Sequence, residues 1–352
     1  MRMRTALLLL VWMAHATRLM AQVPCTDAQA AATPGSWDLA AQAREERFTA
    51  QFDPFARKHP ALAAKATQML AMIQKAIPAP NGVVVKPERK VNEATLSGAG
   101  HVRFGVRVYL MGYHCVPAQG YAPDIAGTVQ LGEETPTTIL IEANTLGWLA
   151  ASERQLPALR TTKGEPIYLA PLDGGRVQNM AVSDPATRPA NAVGEGAVVL
   201  TAGDRPVWTT VTRASYLDAR IAYTKQRLDT LSANAAMLAA PGGQRQKAML
   251  EAEQAELVAF LESMSASDKA LPALVSNFLA PPGSLFVSAS AGGRGLLTVA
   301  NWYRQRGRPP EEIQLITVYW SWNRNAPAER DAIRAFTERF DFDALRQMLS
   351  KD

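Results

Sequence analysis

The chain has 352 residues, 47% hydrophobic and 20% charged, the composition of a folded globular protein rather than a disordered one. Its formal charge is +5. Arg2 and Arg4, and Arg18 if the later of two cleavage points is used, supply two or three of those charges, so the remaining surplus is too small for a phosphate-tracking surface and no nucleic-acid partner is expected.

Residues 1–21 read as a signal peptide. Arg2 and Arg4 form a positive start, Ala6 to Met13 a short apolar run, and Ala14-His15-Ala16 a small-x-small site, with a second cut after Ala21. The apolar run is far below the roughly 20 residues a spanning helix needs, and no later run exceeds it, so no transmembrane segment is expected in the mature chain. Pro24 before Cys25 argues against a lipoprotein. The expected location is periplasmic or extracellular.

An oxidising location bears on Cys25 and Cys115, the only cysteines. Paired thiols persist there, and one Cys25–Cys115 bridge is the natural reading. Cys115 follows His114, but neighbours on a strand point to opposite faces and cannot easily share one ion. With no HExxH, CxxC or His/acid cluster in the chain, neither a metal nor a cofactor is expected.

Residues 60–77 place Leu62, Met69, Leu70, Ile73 and Ile77 on one helical stripe between Pro60 and Pro78. From 82 to 211 come short β-rich runs: VVVK, RFGVRVYLMGYHCV, TTILIEAN, PIYL, GAVVLTAG and VWTTV. The stretch 170–193 reads as a surface loop. At Thr212, a good N-cap, the period changes. Leu217, Ile221, Thr224, Leu228, Leu231, Ala235 and Leu238 form a heptad stripe, the PGGQ of 241–244 reads as a turn, and Leu250, Leu257, Leu261 and Met264 continue the pattern. Residues 212–266 are thus expected to be an antiparallel, coiled-coil-like helical hairpin projecting as an arm. The tail, 267–352, returns to strands LFVSA, GLLTV and QLITVYWSW and closes with a helical segment over 328–350. Ile316, Val318, Trp320 and Trp322 share one strand face; such an aromatic row is either core or a ligand platform, and core is the commoner use. The expected fold class is α+β: a largely antiparallel sheet with packing helices, built from 22–211 and 267–352 and interrupted by the hairpin.

The chain also resembles a family of uncharacterised exported bacterial proteins. The likeness is carried by PCTDAQAAATPGSW near the start, YHC at 113–115, PVWTTVTRASYL entering the hairpin, FVSASAGGRGLL, QLITVYWSWN and FDFDALRQML. It implies export, a mixed fold and an interrupting hairpin, and brings no activity or catalytic residue with it.

Chemistry is sparse. There is no GxSxG elbow or SxxK pair, and the glycines at 98–100 and 194–196 lack a nucleotide-binding context. Weak catalytic candidates are the bases His101 and His114 with Asp124 or Glu134 as acid or orienter; Glu133 and Glu134 are an adjacent acidic pair before a strand. Arg294, Arg304, Arg306 and Arg308, with Trp302 and Tyr303 between them, form the one local basic concentration, either a solvated loop or a grip for an anionic envelope component. Two functions follow. The favoured one is a non-enzymatic binding or scaffold protein that docks a protein partner on the hairpin arm; the alternative is a cell-envelope hydrolase with a His/carboxylate site.

Overall fold

The computed structural model describes residues 24–40, 52–92, 101–117, 119, 121–122, 124–150, 155–185, 192–304, 309 and 311–350. The leader expected over 1–21, Arg306 and Arg308 lie outside these residues, as does the side chain of Arg304.

The helices are α1 (Asp27–Ala32), α2 (Phe52–Lys58), α3 (Pro60–Ala76), α4 (Arg213–Ser232), α5 (Ala235–Ala239), α6 (Pro241–Ser263), α7 (Ala266–Ala270), α8 (Pro282–Leu285), α9 (Pro327–Arg339) and α10 (Phe342–Arg346). The strands, in chain order, are β1 (Ser36–Trp37), β2 (Val83–Asn92), β3 (Arg103–Cys115), β4 (Val129–Leu131), β5 (Thr138–Ala143), β6 (Gln155–Arg160), β7 (Pro166–Leu169), β8 (Leu172–Val177), β9 (Met180–Asp184), β10 (Val193–Thr201), β11 (Trp208–Thr210), β12 (Leu274–Val275), β13 (Arg294–Val299) and β14 (Leu315–Asn323). They form two sheets, not one. The larger runs β1-β2-β3-β5-β14-β10-β9-β8 with β4 added to β3; the smaller runs β11-β13-β7-β6 with β12 added to β13. All pairings are antiparallel except β1 with β2, which makes the fold α+β with largely antiparallel sheets.

Side-chain alternation explains the layering. On β3, Phe104, Val106, Val108 and Leu110 face one way and pack with Leu62, Met69 and Ile73 of α3 and Ile333 and Phe336 of α9. The first turn of α3 is favoured by Pro60, whose missing N–H costs nothing there. Strand β14 is buried on both faces. Its Ile316, Val318 and Trp320 join that helix-side core, where the Trp320 ring meets Phe336 edge-on with centroids 6.4 Å apart. Its Leu315 and Tyr319 join Leu140, Ala197, Tyr168 and Val299 in a second core between the two sheets. The aromatic row of 314–322 is therefore core through Trp320, with Trp322 half-buried against its edge. A third core lies beyond the smaller sheet, where Leu156, Ile167 and Leu296 pack on Tyr216 and Leu217 of α4 and Leu257 of α6.

The Cys25–Cys115 disulfide is present, with Cα atoms 5.6 Å apart, and ties the start of the described chain to the end of β3. Just after it, Thr26 and Gln29 form a reciprocal capping box on α1. Among the described residues no helix is long and apolar enough to cross a membrane.

Three sequence expectations are corrected. The stretch 170–193 contains the β8–β9 hairpin, which extends the larger sheet; its turn uses Gln178 and Asn179 at φ 46° and 68°, the left-handed backbone that a two-residue hairpin requires, without the glycine that normally marks it. LFVSA is not a strand: Leu285 ends the helical turn α8, and Ser288 caps a 3₁₀ turn through Ala291. PGGQ is not the hairpin turn either, because Pro241 begins α6 and the chain reverses between Ala233 and Ala240 around α5. Gly243 lies where a Cβ would stand 1.9 Å from the Met237 carbonyl oxygen, so glycine lets α5 press against α6.

Candidate functional site

Polar side chains converge where the smaller sheet leaves β2 and β3 uncovered. An open cleft of about 610 Å³ lies there, floored by Lys86, Glu88 and Lys90 of β2 and Arg107, Tyr109 and Met111 of β3, and walled by Glu133, Glu134 and Thr135 after β4. The register explains the charge pairing: Glu88 stands opposite Arg107 and Lys86 opposite Tyr109. The Arg107 guanidinium donates to the Tyr109 hydroxyl at 2.7 Å and lies 5.5 Å from its ring centroid. At the back, Lys90 and Glu142 flank Gly105, their common cross-strand neighbour. A Cβ at Gly105 would stand 2.1 Å from the Ile141 carbonyl oxygen, so only glycine lets the strands approach this closely between the two charged residues. Burial pushes the Glu142 carboxyl up, opposed by Lys90, Arg107 and Arg103; burial and then Arg107 push the Lys90 ammonium down, opposed by Glu88 and Glu142. The result is a balanced patch that can pair with a ligand's charges. The described residues lining it include no histidine, cysteine or serine.

The candidate residues are dispersed. Glu134 is exposed on the cleft wall. His101 is fully buried at the entry to β3, while His114, near the far end of that strand, and Asp124 are exposed. His114 shares the helix-side parity of Leu110 and Gly112, opposite the cleft residues Tyr109 and Met111. Among the described residues no three His, Cys, Asp or Glu side chains converge on a metal position. Of the basic quartet only Arg294 has a described side chain, and it donates to the Ala170 carbonyl at 2.6 Å. The neighbouring aromatics are structural: the Trp302 indole donates to the Pro206 carbonyl at 2.8 Å, and the Tyr303 hydroxyl to that of Asn144 at 2.6 Å.

The second concentration of charge, missed in the sequence, is at the base of the α4–α6 pair. Arg220 is 1% exposed. It donates to the Phe278 and Ala280 carbonyls at 2.8 and 3.2 Å and forms an ion pair with Glu253 of α6. The Tyr216 hydroxyl also donates to the Phe278 carbonyl, at 2.6 Å, and burial pushes its pKa up to about 12. Both helices are thereby fastened to the segment after β12. The one sequence signal was an arginine three residues after Leu217 and four before Thr224, both buried. Heptad spacing recurs in the buried positions Leu217, Thr224 and Leu231 of α4 and Gly243, Leu250 and Leu257 of α6. Beyond the base, between Ser232 and Met249, only Gly243 is buried.

A buried carboxylate on the helix side completes the polar network. Glu329, in the first turn of α9, accepts hydrogen bonds from the hydroxyls of Thr135, at 3.0 Å, and Thr137. The Thr137 oxygen in turn accepts the Asn323 N–H at 2.9 Å, and Thr135 that of Thr137 at 2.9 Å. Burial raises the Glu329 pKa, and the donors from Thr137, Thr135 and the Gly112 backbone pull the other way. This knot fixes the loop that carries Glu133 and Glu134.

Comparison with protein-family models, with curated proteins and with solved structures finds no match in any of the three.

Proposed function

We propose that this is an exported, non-catalytic binding or scaffold protein that docks a partner on a projecting helical arm formed by residues 212–266. The observation that carries the reading is the contrast along the arm. Its base is clamped by Arg220 and sunk into the third core, while between Ser232 and Met249 nearly every side chain stays exposed, Met237 and Met249 among them, which leaves that end of the pair open to another surface. Export is supported by the leader-like start, by the disulfide and by the resemblance to an exported family.

Because Tyr216, Leu217 and Leu257 belong to the core, the test removes only the distal arm. Residues 224–250 are replaced by a short Gly-Ser turn, and folding and partner capture from the native envelope are compared with the full chain. A folded variant that loses its partners supports docking through the arm; one that keeps them all refutes it. The hydrolase alternative is favoured by one placement, Glu134 on the cleft wall. Turnover of envelope material by the wild-type chain, lost in Glu134→Gln, would replace the binding reading.

A further inference from the structure

We propose that the occupant of the arm is a second copy of the same chain, joined antiparallel through the outer face of α6. This rests on the reading of the hairpin as a docking arm and names its partner. Leu250 and Leu257 turn the inner face of α6 toward α4. On the opposite face Arg245, Ala248, Ala252, Ala255, Ala259 and Glu262 recur at alternating steps of three and four, and all six are exposed. Small side chains alone specify no partner; the order of the charges does. Arg245 and Lys247 lie toward the start of α6 and Glu262 in its last turn, while between them Glu251 pairs with Lys247 and Glu253 with Arg220, so the two ends of the helix are opposite in sign.

The pattern also mirrors itself about a point between Glu253 and Gln254. Arg245 mirrors Glu262, Ala248 mirrors Ala259, and Ala252 mirrors Ala255. Met249, 73% exposed, mirrors Val258. A twofold axis at that point would set each alanine against an alanine, letting the helices approach to roughly 8 Å. It would close both ends with Arg245–Glu262 pairs, and it opposes the helix dipoles. The surface beside this face, made by Glu251, Gln254, Ala255, Val258, Ala259 and Glu262 of α6 alone, is open, and the basic end of a second α6 would lie against its Glu262.

The test is sedimentation equilibrium of the full mature chain with Arg245→Glu, Glu262→Arg and the double exchange. Each single exchange sets like charges together at both ends and is expected to weaken the dimer about tenfold or more. The double exchange restores the pairing and should return within about threefold of wild type. A register test runs beside it: a mixture of Ala252→Cys and Ala255→Cys chains should oxidise to cross-linked dimer far faster than either alone. A wild-type chain that stays monomeric, single exchanges without effect, or a double exchange that fails to restore association would overturn the inference. The distal-arm replacement judges the underlying arm reading separately, because it reads capture of any partner.

Discussion

Replacing Arg220 by methionine keeps much of the apolar stem and removes the guanidinium that fastens α4 and α6 to the segment after β12. Glu253 then loses its ion-pair partner and the Ala280 carbonyl its donor, while the Phe278 carbonyl keeps the Tyr216 hydroxyl. Breaking a buried pair from one side costs about 3–5 kcal/mol. The Glu253 side chain is 30% exposed, so water relieves part of that cost and the lower end applies, about 3 kcal/mol or roughly a hundredfold in the unfolding constant. Urea denaturation followed by far-UV circular dichroism, without reductant, measures it. The companion variant Arg220→Met with Glu253→Leu leaves no unpaired charge and should lie within about 1 kcal/mol of wild type. If the single substitution costs less than about 1 kcal/mol, or the double variant is as unstable as the single, the clamp at the base of the arm is wrong.

Three further outcomes follow from the geometry. Cys25→Ser with Cys115→Ser opens a loop of 90 residues and should lower stability by about 4–5 kcal/mol in the chain-entropy model, read as a lower urea midpoint; a native midpoint would deny the bridge that role. Thr137→Val removes a donor to buried Glu329 and the acceptor of the Asn323 N–H and should cost about 1–3 kcal/mol by the same assay, with an unchanged midpoint counting against the knot. Tyr216 holds its proton to about pH 12 in the folded state and to about 10 when unfolded, so its contribution is complete below pH 10 and lost as pH rises toward 12. Stability should decline over that window by up to about 2–3 kcal/mol more than in Tyr216→Phe, and parallel pH curves for the two proteins would contradict the burial of the phenol.

Periodicity made much of this molecule legible in advance. The stripe of Leu62, Met69 and Ile73 set α3, and Ile316, Val318 and Trp320 set the buried face of β14, because burial imposes a spacing that survives in one dimension. What escaped depends on partners distant in sequence. The Gln178–Asn179 turn looks like loop because its left-handed backbone is imposed by the strands it joins, and two β-rich stretches do not reveal whether they share a sheet. The cleft was hidden for a similar reason: Lys90 and Glu142 are 52 positions apart and meet only because register places Gly105 between them. Glu134 was picked out as an acid before a strand, but nothing local revealed the Thr135–Thr137–Glu329 knot that positions its loop.

The most direct discrimination between arm and cleft is site-specific photo-cross-linking in the native envelope, with a photoreactive residue at Met249 on the arm or at Glu134 in the cleft. Docking through the arm predicts macromolecular adducts from position 249 and few from position 134. Adducts confined to position 134 would move the function of this protein to the charged cleft.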